Sequence, residues 1–454
     1  MPFFHKPPLF YWLTAGALQV FGPNEASARL ASVLGASATV TALYLFVRRW
    51  FDARRARLSA LVLSTQPLFF VGAQFANLDM LVAACVSITI LLGASAVFRF
   101  EAGERQWPSL AGAYVGLALG VLAKGLIGIV LPGLVLLLWL AARRRWRALR
   151  SLVWLPGLVI ALVLVIPWFA VMQHRHPDFL HYFFIVQQFQ RYAQGGFNNV
   201  APFWFYVPVL LVLGLPWSGW LFLGFRRQHT VAADPVDLRA LMWTWLAVVV
   251  VFFSLPQSKL IGYVLPALAP LAFLIAHGAA PMIDGSVLAR RAWSMSAGLA
   301  LCLCVGVVIA FSFNHPKSSR ELAQALAARY AEGESVVFLD EFPYDLAFYL
   351  RDTMVFPVVS DWTPAEVALH DNWRKELADA GSFAPALVPE RLWNDAQFKA
   401  AVCGPKMFWV VASLDQLARY TFLEHAECVA THSGRAVWRV DSSLADFKGV
   451  AGCD

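Results

Sequence analysis

Lys6, Asp79, Lys124 and a Gln187-Gln188-x-x-Arg191-Tyr192 cluster stand in an otherwise apolar chain, and groups of these types bind and act on anions. Outside residues 314–454, ionisable groups on the side of the apolar segments away from the arginine-rich loops are few. The acids are Glu25, Asp79 and Asp178; the cations are Lys6, Arg29, Lys124, Arg175, Arg191 and Lys259, joined by His5, His174, His176 and His181. Six fixed positive charges against three negative ones at a membrane boundary suit an anionic head group such as a lipid phosphate. Several of these groups belong to apolar spans, where an ionisable side chain is costly and therefore read as functional.

Each residue also has a plainer reading. In His5-Lys6-Pro7-Pro8-Leu9-Phe10-Tyr11-Trp12, two prolines fix the backbone before an amphipathic, aromatic helix, so Lys6 either points at head groups or snorkels beside an aromatic belt. Asp79 opens an apolar run, where it serves either as an N-cap or as a base or cation ligand for a hydroxyl acceptor. Lys124 lies between two apolar runs with no acid in either neighbouring stretch, which calls for an anion. Gln187, Gln188 and Arg191 share one helical face, either a polar wall for a sugar with Arg191 on a phosphate, or a solvated face. Lys259 and Tyr263 fall one turn apart; the adjacent Ser258-Lys259 pair is too little to mark an activated serine. His174 and His176 have no third ligand in view, so solvation is preferred there over a metal.

The elements that position these residues follow from composition. Of 454 residues 59% are hydrophobic and 14% charged, with a mean hydropathy of +0.60, whereas soluble domains carry about 25% charged residues. This excludes a soluble enzyme and a disordered chain. The net charge of +7 does not signal nucleic-acid binding, because residues 1–313 hold 9 of the 29 acids and residues 314–454 the other 20. Ten segments reach the length and apolarity of a span: 27–47, 58–76, 78–98, 109–124, 125–142, 151–173, 203–225, 238–256, 260–277 and 293–313. The fourth and fifth are short and meet at Lys124-Gly125, as a tight re-entrant pair would. Arginines fill the loops after the first (Arg48, Arg49, Arg54, Arg55, Arg57), fifth (Arg143, Arg144, Arg145, Arg147, Arg150) and other odd-numbered spans, which places that side in the cytoplasm. Residues 1–26, an interfacial segment, the loop 174–202 and the domain 314–454 then face outward.

The expected fold is therefore an α-helical polytopic membrane protein with a transmembrane domain over 1–313 and a small α/β domain over 314–454. In the latter, 335–340, 406–412 and 436–440 read as strands, and 321–331, 387–402 and 414–420 as helices. One disulfide among Cys403, Cys428 and Cys453 is allowed if the compartment is oxidising. The first residues lack the basic and apolar regions of a signal peptide, yet the alternation puts this tail outside. The expectation is that one upstream span is missing from the chain.

With these residues in view, the chain resembles the bacterial polyprenyl-phosphate-sugar-dependent membrane glycosyltransferases of GT-C type, which include aminoarabinose-lipid A transferase and relatives of protein O-mannosyltransferases. The resemblance rests on seven pieces in order over residues 1–277. These are His5-Lys6-Pro-Pro-Leu-Phe-Tyr-Trp-Leu13, Asn24-Glu25-x-x-Ala28-Arg29-Leu30, Leu78-Asp79-Met80, Ala123-Lys124-Gly125, Gln187-Gln188-x-x-Arg191-Tyr192, Pro202-Phe-Trp-Phe-Tyr-Val-Pro208 and Phe252-Phe-Ser-x-x-x-Ser258-Lys259-Leu-x-x-Tyr263-x-Leu-Pro266. It implies that Lys6, Lys124 and Arg191 hold the donor phosphate, that Asp79 supports the site, and that His5, Glu25, Gln187, Gln188, Tyr192, Lys259 and Tyr263 line the substrate cavity. His5 stands where relatives carry an acid and Gln188 where they often carry histidine, which leaves a divalent metal open. The family's catalytic carboxylate lies upstream of the Lys-Pro-Pro motif, after a first helix, and neither is present in the chain as given.

The implied activity is inverting transfer of a sugar from a polyprenyl-phosphate donor to an envelope acceptor (lipid A, a polysaccharide or a protein) on the outer face of the inner membrane, with the C-terminal domain periplasmic. Two alternatives stand beside it: a catalytically impaired relative that binds polyprenyl phosphate, and a transporter using Asp79 and Lys124 as a charge relay. Against the transporter, the sequence shows no inverted repeat.

Overall fold

Caps and prolines cut the apolar part of the chain into helices. The computed structural model describes every residue except 191–198, 226–236, 314–317, 332, 351–355, 370, 405–406, 442–452 and 454. Two units result, one of Lys6–Phe311 and one of Met1–His5 with Ser312–Asp454.

In the larger unit, α1 (Leu9–Phe21) follows Pro7-Pro8 and stops at Gly22, whose φ of +79° suits only glycine. Helix α2 (Glu25–Trp50) is capped by Asn24, which accepts from the Ser27 amide at 2.9 Å; Glu25 in its first turn and Arg48 and Arg49 in its last complement the helix dipole. Asp52 caps α3 (Ala53–Thr65) in the same way. Pro67 then removes an amide and holds Gln66 extended, so α4 (Pro67–Gln74) departs at 58° from α3. The predicted span 58–76 is thus bent at its middle. Helix α5 (Leu78–Glu101) runs through the centre, packed on α2, α6 (Trp107–Lys124) and α7 (Ile127–Ala142).

Helices α8 (Trp146–Ser151) and α9 (Leu155–Arg175) follow, then a π-helical stretch over His181–Gln190. The predicted span 203–225 is two short helices, α10 (Tyr206–Val212) and α11 (Ser218–Phe225), parted at Gly214-Leu215-Pro216 because Pro216 cannot continue the ladder. Helix α12 (Leu238–Ser254) leads to a 3₁₀ stretch, Ile261–Ala267, that continues into α13 (Leu268–Gly285), and α14 (Val287–Phe313) closes the unit.

All ten predicted segments fall on helices. Among the described residues five helices are long and apolar enough to cross a membrane, or six with the bent α3–α4 pair as one span. Their burial separates inner from outer positions. The apolar windows of α5 and of Ile261–Gly285 are 83% buried, but those of α9 and α14 only 17% and 11%. Helices as apolar as α9 and α14 with so little protein around them require a hydrocarbon solvent, and the protein is multi-pass in a membrane.

In the smaller unit, six strands, β1 (Ser335–Leu339), β2 (Val358–Val359), β3 (Leu392–Trp393), β4 (Met407–Ser413), β5 (Glu427–His432) and β6 (Arg435–Asp441), form one sheet ordered β3-β2-β1-β4-β6-β5. The first four are parallel, and β6 and β5 add antiparallel. Period-two alternation buries Val337, Leu339, Val410 and Trp438 on one face and Val336, Phe338, Trp409 and Val437 on the other. The helix expected over 387–402 is interrupted by β3, because Leu392 and Trp393 pair with Val358 and Val359. The one expected over 414–420 is a 3₁₀ turn, Leu414–Ala418. A disulfide joins Cys403 to Cys453, while Cys428 is a free thiol.

Candidate functional site

The site in the larger unit starts from a turn. Helices α6 and α7 meet at Gly125, whose φ is +85° and where a Cβ would lie 3.0 Å from both Gln188 and Phe183. The two helices can turn back on each other because Gly120 faces Gly128: a Cβ on Gly128 would sit 2.3 Å from the Gly120 carbonyl carbon. Lys124, the last residue of α6, is thereby projected from the hairpin. Its ammonium meets two groups from distant elements, an ion pair with Asp79 in the first turn of α5 and the face of Tyr263, 4.2 Å from the ring centroid. The Lys124 carbonyl accepts from Gln188 Nε2 at 3.3 Å.

These contacts settle two sequence readings. Asp79 is not the N-cap of α5; Asn77 is, accepting from the Met80 amide at 2.9 Å, which leaves the Asp79 carboxylate for Lys124. Lys124 does have an acidic partner, brought from 45 positions away, where the neighbouring stretches offered none. Gly262 is required for this arrangement, since a Cβ there would come within 2.6 Å of Asp79 Oδ2.

Beside the pair lies a cavity of about 280 Å³, lined by Lys6, Lys124, Gln187, Gln188, Ser258 and Tyr263 and walled by Leu126, Ile127, Val130, Phe252, Phe253 and Pro256. Gln187 is buried and donates to the Tyr182 hydroxyl at 2.8 Å. The apolar wall residues and Ser258 were not singled out as site residues in the sequence. Phe252, Phe253 and Ser258 belong to the Phe252–Pro266 motif, whereas Leu126, Ile127 and Val130 look like any apolar helix.

Other predicted site residues are placed elsewhere. Lys259 turns its ammonium onto backbone carbonyls, those of Pro256, of Ala201 at 2.8 Å and of Gln257 at 3.5 Å, and does not line the cavity. There the chain doubles back, with Val200 bridging Ser258. Glu25 sits in the first turn of α2 and is not part of the cavity lining. His5 belongs to the smaller unit, buried with Nε2 3.4 Å from Asp379. Arg191 and Tyr192 lie outside the described residues. Among the described residues no group of three His, Cys, Asp or Glu side chains could hold a metal ion.

A helical membrane domain with a lysine-bearing, apolar-walled cavity, followed by an α/β unit, agrees with the GT-C class that the resemblance implied. The fold is that of ArnT from Cupriavidus metallidurans, solved with undecaprenyl phosphate bound (TM-score 0.82, 22% identity, 98% of this chain and 89% of that one) and in the apo state (TM-score 0.77, 23% identity, the same coverage). Residues 5–170 match the dolichyl-phosphate-mannose-protein mannosyltransferase family. The chain is 34% identical over 305 residues to an undecaprenyl phosphate-alpha-4-amino-4-deoxy-L-arabinose arabinosyl transferase of Pseudomonas aeruginosa, covering 66% of this chain and 54% of that protein. To the enzyme of the same name from Aeromonas hydrophila it is 32% identical over 341 residues, covering 72% of this chain and 60% of the relative. The chain is thus similar to these aminoarabinose transferases over about two thirds of its own length and spans little more than half the length of the curated relatives it matches.

Proposed function

We propose that the protein transfers a sugar from a polyprenyl-phosphate donor to an acceptor of the cell envelope, at the outer face of the inner membrane. The observation that carries this reading is the cavity, to which Lys6, Lys124, Gln187, Gln188, Ser258 and Tyr263 bring polar groups while Leu126, Ile127, Val130, Phe252 and Phe253 supply a wall for an isoprenoid chain. The names of the relatives support undecaprenyl phosphate as the lipid carrier and an aminopentose as the sugar.

In this reaction an acceptor hydroxyl attacks the anomeric carbon in line, the bond to the phosphate oxygen breaks, and polyprenyl phosphate leaves with the bonding electrons while the hydroxyl proton passes to a base. Lys6 and Lys124 hold the leaving phosphate. Gln187 and Gln188 offer amides to sugar hydroxyls. Asp79 is committed to Lys124 and acts as its positioning residue. The outward orientation of the acceptor side and of the C-terminal unit is supported by the arginines gathered on the opposite loops and by the Cys403–Cys453 disulfide, which needs an oxidising compartment.

A second reading, binding of polyprenyl phosphate without turnover, is favoured by one observation: none of the described residues lining the cavity is a carboxylate. Both are tested with the full chain in liposomes containing labelled polyprenyl-phosphate sugar and lipid A. Sugar transfer that falls by about 10²–10³-fold in Lys6→Ala and in Lys124→Ala supports transfer; transfer unchanged in both refutes the assignment of the site. Donor binding without release of polyprenyl phosphate would establish the second reading.

A further inference from the structure

A second cavity, of about 490 Å³, lies among α5, α6, α7 and the α8–α9 connection, and the residues of the first cavity do not touch it. Its walls are Gly93, Leu110, Ala113, Leu117, Pro132, Gly133, Leu136 and Leu137, with Thr89 and Tyr114 the polar exceptions. Pro132 in the interior of α7 removes a ladder hydrogen bond, and Gly133 beside it is exposed, with nothing within 4 Å of an added Cβ, so the cavity opens to the surface of the unit along that helix.

The mouth is built. Tyr114, from the middle of α6, donates to the Leu152 carbonyl at 3.0 Å and accepts from the Trp154 amide at 3.3 Å, fixing Leu152 and Val153 at the rim. Helix α8 contributes Leu149 and Arg150 to the lining, and on the same short helix Trp146 and Arg147, at i and i+1 to the i+4 of Arg150, are exposed as Arg150 is. Arg150 is the one charged residue among the described lining. Arg143 and Arg145 are neutralised by Asp237 and Glu101, but Arg147 and Arg150 have no ion pair in the described structure.

We propose that this cavity binds one acyl chain of an anionic phospholipid, with the head-group phosphate on Arg147 and Arg150. The charge supplies the argument for this occupant. An apolar cavity of this size would accept any acyl chain, but unneutralised guanidiniums at its rim, beside an interfacial Trp146, select a lipid whose net charge is negative. The site is independent of the proposed sugar transfer and of which side of the membrane the rim faces.

The test uses the full chain in detergent, titrated with phosphatidylglycerol or phosphatidylcholine and followed by native mass spectrometry and thermal unfolding. Phosphatidylglycerol should bind and raise the unfolding temperature more than phosphatidylcholine. Each of Arg147→Gln and Arg150→Gln should weaken the phosphatidylglycerol affinity by about fivefold. Gly133→Leu, which fills the cavity and leaves both arginines, should weaken both lipids alike. Equal affinities for the two lipids in the unmodified chain would overturn the charge selection, and unchanged phosphatidylglycerol binding in a folded Gly133→Leu protein would overturn the cavity as its seat. If Gly133→Leu fails to fold, Ala113→Phe fills the same space from α6.

Discussion

Two glycines of α7 make opposite predictions for the same substitution, and the difference measures how tightly the Lys124 turn is held. A Cβ on Gly128 would lie 2.3 Å from the carbonyl carbon of Gly120, 2.5 Å from the Val121 amide nitrogen and 2.7 Å from the Gly120 oxygen. All three are backbone atoms, so no side chain can rotate away and the α6–α7 hairpin must open by about 1 Å to reach ordinary contact. Overpacking of this kind costs about 1–3 kcal/mol, against a helix-propensity gain of about 1 kcal/mol for replacing glycine with alanine. At Gly133, five positions on, nothing lies within 4 Å and only the gain remains.

Gly128→Ala should therefore lower stability by up to about 2 kcal/mol, and Gly133→Ala should leave it unchanged or raise it by up to about 1 kcal/mol. The functional effect should be larger, because the opening falls at the turn that carries Lys124 and so moves its ammonium relative to Asp79 and Tyr263; a shift of about 1 Å in a positioning group can cost about 10²-fold in rate. Thermal unfolding followed by tryptophan fluorescence, with sugar transfer in liposomes on the same preparations, reads both. If Gly128→Ala unfolds no earlier than Gly133→Ala, or keeps full transfer, the glycine contact does not hold the turn and the reasoning fails.

Three further outcomes are expected. Lys259→Met should lower stability by about 2 kcal/mol by leaving the carbonyls of Ala201, Pro256 and Gln257 without their donor, while the protein that remains folded keeps its kcat/KM; a lowered kcat/KM at unchanged stability would instead put Lys259 in the reaction. In the smaller unit, burial pushes the Glu334 carboxyl up, but the Ala331 amide, the Trp409 indole and Arg439 together hold it below its ordinary value. The unfolded state then takes up the proton first as pH falls, so this contribution is present above about pH 5 and is lost below it. Hydrogen exchange of β4 should rise with acid more steeply in the native protein than in Glu334→Gln, and equal slopes would contradict the assignment. Finally, the Cys403–Cys453 disulfide closes a chain separation of 50 residues, for which loop entropy gives about 4 kcal/mol. A reductant should make the smaller unit markedly more sensitive to protease, and a Cys403→Ser protein should be sensitive with or without it.

What could be read in the sequence was set by the range of the interaction. Apolar length and the placement of arginines are local signals, and all ten segments so found are helical. The strands at Ser335–Leu339, Met407–Ser413 and Arg435–Asp441 were legible because each is buried on both faces and reads as an apolar run, broken in the last only by Arg439. Val358–Val359 and Leu392–Trp393 are too short to carry a period and exist because they pair with each other and with β1, while β5 is half exposed and lacks an apolar run. The bend at Pro67 had a local signal, but an apolar window spanning it outweighs one proline.

The site shows the same limit with more consequence. Counted along residues 1–313, the outer face had twice as many fixed cations as acids, and every cation looked available to an anion. Folding redistributes them: Lys259 is spent on carbonyls, and Lys124 is shared with Asp79 across 45 positions that no local pattern connects. On the proposed reaction this sharing is useful rather than wasteful. The donor is a phosphodiester with one negative charge, and the leaving polyprenyl phosphate gains a second as the anomeric bond breaks. A Lys124 already balanced by Asp79 binds the donor less tightly than a bare lysine would. As charge grows on the phosphate, the ammonium is drawn towards it, and the interaction strengthens most in the transition state. Asp79→Asn should therefore separate the two effects, tightening donor binding while lowering the rate of the bound complex.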